Sequence, residues 1–342
     1  MSMPRKLIRR MKRLISGLRH PSFFPILAYL ALRKPASRVP DQQVIASGGE
    51  IQPSTPMCSL LPGSTTASSI PARVFQTWKS RTDIPDNYRY WRSSFAAQNL
   101  GFELILWDDD DNRKFIVENF PWFLPTYDIF PKEIFRADAV RPFFLFLYGG
   151  FYADMDSECL RPLEPMRKYG DVLLGRMGAD RDFEQSIPNA LMASKPYELF
   201  WLLLISMIME RVGETRASID PSRPEIYTGP IILKDAVDFY LTSTEDRLRV
   251  RCQDIIAKIP EKLRLRLHYG NLIVLDPDVW YPVDWTNPFH RMLRRRISNS
   301  NRTLDRETAC YLFPQAFMVT YWSHSWSPPA PGTQLRVEEI RG

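Results

Sequence analysis

Asp154 and Asp156, separated by a single Met, are the residues of this 342-residue chain best placed to do chemistry. They follow the apolar run 143–148 (Phe-Phe-Leu-Phe-Leu-Tyr) and the pair Gly149-Gly150. Two carboxylates so close repel each other unless a cation lies between them or one is protonated. A hard divalent ion, Mn²⁺ or Mg²⁺, takes oxygen ligands and is commonly completed by the phosphates of a bound nucleotide. The pair therefore reads as a metal and diphosphate site. The plainer alternative is an Asp-rich surface loop.

The elements around the pair have to position it. The run 143–148 reads as a buried strand carrying the acids at its end, extended by Tyr152 and Ala153, with the two glycines allowing close approach or positive φ. Upstream, Asp138 and Arg141 stand three apart and share a face if that stretch is helical. They would supply an acid for sugar hydroxyls and a guanidinium for phosphate. Before them, residues 73–76 read as a strand, 88–99 as a helix and 102–107 as a second strand. That alternation predicts an α/β fold with a mostly parallel sheet and a site at the strands' carboxyl ends. The four acids Asp108 to Asp111 read as the solvated start of a helix. Residues 197–212 are apolar nearly all round but too short to span a bilayer, which predicts a buried core helix, and 230–240 reads as another helix.

Six ordered motifs carry a resemblance. They are the run 70–79 (Ile-Pro-Ala-Arg-Val-Phe-Gln-Thr-Trp-Lys), Leu106-Trp107-Asp108-Asp109, and the stretch from Arg136 through Asp138 and Arg141 to Asp154-Met155-Asp156. Downstream come 189–194 (Asn-Ala-Leu-Met-Ala-Ser), Tyr227-Thr228-Gly229-Pro230 and 321–326 (Tyr-Trp-Ser-His-Ser-Trp). Together they resemble glycosyltransferase family 32, the Och1-like enzymes with a DXD sugar-binding region, over roughly residues 70 to 327.

The resemblance implies a GT-A, Rossmann-like mixed sheet flanked by helices. It further implies a nucleotide-diphosphate sugar donor, bound Mn²⁺ or Mg²⁺, and transfer with retention of configuration. Gln76 and Trp78 would bind the donor, with Trp78 stacked on the base. Asp138 and Arg141 would hold the sugar and its phosphate side. Asp154 would face ribose and metal, and Asp156 would ligate the metal directly. Asn189 would line the donor or acceptor pocket, while Ser325 and Trp326 would close over the diphosphate. Where many relatives carry a His two residues before the Trp of the last motif, this chain has Thr320; His324 is the candidate replacement as a third metal ligand. No protein nucleophile is needed if the departing phosphate oxygen takes the acceptor proton. GDP-mannose is the favoured donor and a UDP-sugar the next, with a glycan, a sphingolipid or a small molecule as acceptor.

Composition sets the frame. The 29 prolines are about 8% of the chain against a usual ~5% and gather in loops and linkers. Ten Lys and Arg and no acid lie in the first 40 residues, so the remainder carries a formal −4 against +6 for the whole. Residues 1–36 combine a basic amphipathic helix with a short apolar stretch too brief to span a bilayer. They suit peripheral contact with an anionic membrane, or a targeting leader. Nucleic acid is disfavoured because the aromatics do not alternate with the cations. Residues 37–69 read as a flexible stem, 70–328 as the catalytic domain and 329–342 as a tail. A stem of this kind favours a Golgi or secretory location, with the cytoplasm as the alternative. Arg291 and Arg294 to Arg296 form a second basic cluster that reads as a solvated loop or an attractor of anionic acceptors. Cys58, Cys159, Cys252 and Cys310 lack metal-site spacing and permit either two disulfides or free thiols. Asn301 heads one glycosylation sequon.

Two rival classes share the D-x-D. A haloacid-dehalogenase-like phosphatase would use its first acid as nucleophile, with Thr or Val two residues beyond the second. A non-catalytic membrane-associated binding protein would keep the fold without the chemistry.

Overall fold

The computed structural model describes residues 69–215, 219–288, 290–291, 303–304 and 306–323. The basic N-terminal segment, most of the stem, Cys58, Arg294 to Arg296, Asn301, His324, Ser325, Trp326 and the tail lie outside the described residues.

A six-stranded sheet organises the rest, in the order β2-β1-β3-β6-β5-β7. Its strands are β1 (Arg73–Thr77), β2 (Glu103–Trp107), β3 (Gly150–Ala153), β5 (Val172–Gly175), β6 (Leu191–Ser194) and β7 (Leu272–Leu275). β1 runs parallel to β2 and β3, and β5 parallel to β7, while β6 runs against both β3 and β5. The sheet is therefore mixed, and its parallel strands end on one rim. A separate ribbon pairs β4 (Ser157–Cys159) with β8 (Met318–Thr320) antiparallel.

The helices take their places by which face they can bury. In α1 (Asp86–Gln98) the apolar Tyr88, Trp91 and Phe95 recur at helical spacing and are buried. α2 (Asp109–Asn119) starts at Asp108, whose side chain accepts from the Asp111 amide while Asp111 answers the Asp108 amide, a capping box that meets two otherwise unpaired donors. The acids at its start thus serve the helix end, as their position predicts. α4 (Leu199–Thr215) and α5 (Pro230–Leu241) confirm the two later helical readings.

One reading needs correction. The run 143–148 is the last part of α3 (Glu133–Tyr148), not a strand. Alternation and helical periodicity cannot be told apart when every position is apolar, and all of 138–148 is buried against the sheet. The helix reverses straight into β3 with no loop, through Gly149 at φ 62° and Gly150 at φ 106°. A Cβ on Gly150 would stand 2.4 Å from Arg73 Cγ, and one on Gly149 2.8 Å from the Pro196 backbone nitrogen, so only glycines allow the reversal.

The core has two halves, one on each face of the sheet. Phe75, Tyr152 and Leu174 join α2, α3, α4 and α5 on one side. Val74, Phe151, Ala153 and Leu173 join α1 and the β4–β8 ribbon on the other.

Candidate active site

Trp78, Asp108, Asp154 and Arg176 each follow directly on the last residue of a strand and stand on the rim where the parallel strands end. Helix α3 brings the remaining charge. Asp138 and Arg141 lie one turn apart on it, and their side chains pair at 2.7 Å.

Arg141 is the hub. Its guanidinium, 6% exposed, reaches Asp138 Oδ1 at 2.7 Å and Asp154 Oδ1 at 3.0 Å, and donates through Nη1 to the Asn189 carbonyl at 2.9 Å. It also lies 4.6 Å over the Tyr152 ring. The Tyr152 hydroxyl donates to Asp154 Oδ1 at 2.8 Å and meets Thr77 Oγ1 at 3.2 Å. Burial works to lower the Arg141 pKa, but Asp138 and Asp154 outweigh it and the net shift is upward.

Asp156 is held differently. Its Oδ2 accepts from the Ser323 amide at 2.7 Å and from Ser323 Oγ at 2.9 Å, so among the described residues its hydrogen-bond donors are neutral. Ser323 Oγ in turn meets the Tyr88 hydroxyl at 2.5 Å, and Tyr88 packs on Trp78 with ring centres 4.6 Å apart. Trp78 donates its indole N–H to the Asp83 carbonyl at 2.9 Å. A continuous set of contacts thus runs from Trp78 to Asp156.

The electrostatics follow from this arrangement. Burial raises Asp138 to about 7, with Arg141 pulling down and Asp154 pushing up. Burial raises Asp154 to about 6, with Arg141 opposing and Asp156 adding. Asp156 is raised by burial and held back by Ser323. Three acids therefore crowd a region where Arg141 is the one cation acting on them among the described residues. Ionised together, they leave two negative charges unmatched, which is the condition a divalent cation relieves. Hard carboxylate oxygens suit Mn²⁺ or Mg²⁺, which needs only one or two protein carboxylates when phosphates complete its shell. No cluster of three or more His, Cys, Asp or Glu able to hold a metal occurs among the described residues.

The structure brings Asp138, Arg141, Asp154 and Asn189 into direct contact and puts Asp156 and Trp78 beside them. Asn189 is half-buried, interacts with Asp138 through its side chain and donates to the Thr228 carbonyl at 3.5 Å. Gln76 is 2% exposed on β1, and its side-chain amide nitrogen lacks a hydrogen-bond partner. Thr320, at the position where His is common in the resembling family, is buried in β8 and spends its hydroxyl on Ser157 at 3.0 Å.

Sequence reasoning missed Tyr152, Ser323, Tyr88 and Tyr281. Tyr152 was findable: it precedes Asp154 by two on an extended segment, so both project to one face. Tyr281 was not. Its hydroxyl serves the Leu191 amide at 2.6 Å and the Pro188 carbonyl at 3.0 Å, fixing the turn that presents Asn189. Its ring stacks on Trp322, a non-glycine residue at φ 53° whose indole donates to Val283. Such contacts join parts of the chain about ninety residues apart in a register that no local pattern encodes.

Residues 85–173 match the family model described as the glycosyltransferase sugar-binding region containing DXD motif. The chain is 35% identical over 136 residues to inositol phosphoceramide mannosyltransferase 2 of Schizosaccharomyces pombe, covering 40% of this chain and 37% of that protein. It is 34% identical over 158 residues to mannosyl phosphorylinositol ceramide synthase SUR1 of Saccharomyces cerevisiae, covering 44% and 41%. The chain thus spans well under half the length of these curated relatives. Among solved structures, the PaToxG glycosyltransferase superposes with a TM-score of 0.40 at 12% identity, covering 73% of this chain and 89% of that one.

Proposed function

We propose, from a chain whose residues 85–173 belong to the DXD-containing glycosyltransferases, that it is a metal-dependent retaining hexosyltransferase of GT-A type. Mannose from GDP-mannose is the favoured donor and a UDP-sugar the next. The relatives' names favour a phosphoinositol sphingolipid as acceptor over a glycan or a small molecule. The observation that carries the reading is the excess of acid over Arg141, with Asp138 buried and Asp154 and Asp156 part-buried on the rim.

Asp154 and Asp156 would hold Mn²⁺ or Mg²⁺, with His324 as a further ligand. When bound, that ion stabilises the negative charge gathering on the departing diphosphate. Arg141 adds a fixed guanidinium where the same charge develops. Asp138, beside Arg141, faces the sugar ring and tolerates its developing positive charge. Trp78 offers a flat face to the base, Gln76 its unpaired amide to the donor, and Asn189 lines the sugar side. Ser325 and Trp326 would close over the diphosphate. The phosphatase reading is weaker, since Glu158 occupies the position where that class wants Thr or Val and is buried against Tyr321.

Residues 70–328 would form the catalytic domain, and residues 1–36 would place it peripherally on a Golgi or secretory membrane. Among the described residues no helix is long and apolar enough to cross one. The test is hydrolysis of GDP-mannose, UDP-galactose and UDP-N-acetylglucosamine by purified protein with and without Mn²⁺. Mn²⁺-stimulated turnover of GDP-mannose is the expected result. Turnover of a phosphomonoester with none of the three sugars would replace the reading by the phosphatase.

A further inference from the structure

The rim holds a second cation on the far side of Asp154 from Trp78. Ala153 pairs with Leu191 and Met192 with Leu174, while the Asp154 amide bonds the Ala190 carbonyl at 2.9 Å. Asp154, Ala190 and Arg176 therefore stand in one row. Arg176 lies two strand spacings from Asp154, about 10 Å. Side chains alternate along strands, and Tyr152 and Leu174 both point into the α3–α4 half of the core. Two residues further on, Asp154 and Arg176 emerge on that same side. The order β1-β3-β6-β5 then sets Asp154 and the guanidinium of Arg176 on one side of the rim, with Trp78, packed on Tyr88 of α1, at the far end of the row and toward the other face.

Arg176 is half-buried and makes no side-chain hydrogen bond or ion pair among the described residues. Burial lowers its pKa, and the nearby Arg181 lowers it further. Asp238 and Asp276 act on it more weakly. Asp238 is already held by Lys234 at 2.6 Å. Arg181, exposed on the same loop, has no carboxylate in ion-pair contact among the described residues either. That loop starts at Arg176 and ends at Asn189, and it is turned by Gly178 at φ 70°, where Asp284 Oδ2 would stand 2.9 Å from any Cβ. Ser186 Oγ donates to the Arg181 carbonyl at 3.3 Å and the Met177 amide to the Ser186 carbonyl at 2.9 Å, so the loop folds Arg181 back toward Arg176, and an anion bound between two such guanidiniums relieves their repulsion.

We propose that Arg176 and Arg181 form a phosphate subsite on the acceptor side of the pocket, taking a phosphomonoester or phosphodiester that adjoins the sugar-accepting hydroxyl. The donor's own phosphates belong with Arg141 and the cation site of Asp154 and Asp156 beyond β3, two strands from Arg176, which leaves this pair for the acceptor. The inference rests on the glycosyltransferase reading for the word acceptor, but the subsite itself is testable without turnover.

Glycerophosphoinositol and free inositol are titrated calorimetrically, with no donor present, into wild type and an Arg176→Gln, Arg181→Gln double variant whose thermal melt is checked. Wild type is expected to bind glycerophosphoinositol more tightly than inositol, and the double variant to lose roughly ten- to a hundred-fold of that affinity with inositol unchanged. Mn²⁺-dependent GDP-mannose hydrolysis is expected to stay within about two-fold, since the pair is placed outside the donor's phosphates. Undiminished glycerophosphoinositol binding in the variant overturns the subsite, and collapse of donor hydrolysis reassigns the pair to the donor. A binding difference in a protein that hydrolyses no nucleotide sugar keeps the subsite and overturns the donor reading instead. Vesicles containing phosphatidylinositol, run beside inorganic phosphate, separate a lipid headgroup from free phosphate as the source of the anion.

Discussion

The two ends of the sheet bury acids in different ways. At the end away from the site, Asp171 precedes β5, Lys195 follows β6 and Glu198 precedes α4. Lys195 neutralises Asp171 at 2.8 Å, and Glu198, 1% exposed, accepts from the Gly270 amide at 3.0 Å. Burial, then the neighbouring Asp171, raises Glu198 to about 8, so it stays protonated at neutral pH. That end is closed and self-satisfied. At the other end three acids share one arginine, and the side chain of Asp154 is 29% exposed. A shifted carboxylate is therefore poor evidence of a site by itself; unmet charge on an accessible rim is better.

The contrast can be broken in order of effect. Asp156→Ala should lower Mn²⁺-stimulated nucleotide-sugar turnover roughly a thousand-fold. Its thermal midpoint should hold or rise, because a repelling buried charge has gone; retained turnover would remove Asp156 from the metal site. Arg141→Ala should cost about 3–5 kcal/mol in urea unfolding, since Asp138 and Asp154 lose the guanidinium that both contact. A loss under 1 kcal/mol would mean those acids are already neutral. At the opposite end, Glu198→Gln should alter the pH profile of stability. The native protein holds a proton that the unfolded chain releases near 4.5, so wild type weakens as pH climbs from about 4.5 to about 8. Gln carries no such loss, and the variant should overtake wild type toward pH 8 by an amount on the order of a few kcal/mol. Parallel melting curves at pH 5 and pH 8 would contradict the burial of that carboxyl. Tyr152→Phe should have the smallest effect, about 1 kcal/mol, read as a several-fold rise in donor KM with the melt little changed.

How much of this was legible in the chain depended on the range of the signal. Trp91 and Phe95 in α1, the acids opening α2, and the Asp138–Arg141 pair are local patterns of three or four residues, and each appears where the spacing puts it. The 143–148 run was misread because uniform hydrophobicity carries no period, and the glycine pair after it suits a helix end as well as a strand start. The reversal of β6 could not be foreseen, because strand direction depends on how the 176–190 loop crosses the rim. The sequence motifs place a metal at Asp154 and keep Arg141 for the donor's phosphate side. Arg141 meets part of the Asp154 charge, which the helical spacing of Asp138 and Arg141 hinted at without showing that it reaches across to β3.

The seam between β4 and β8 has its own consequence for assembly. Asp156 receives both of its donors from Ser323, 167 positions downstream. Its surroundings are finished by a remote zipper, not by its own neighbourhood. During refolding, the central strands can pair before the pocket is competent, so recovery of circular dichroism should run ahead of recovery of catalysis. Damage between 276 and 317, beyond the last strand of the main sheet, that keeps the zipper open would leave a sound-looking sheet with a silent pocket.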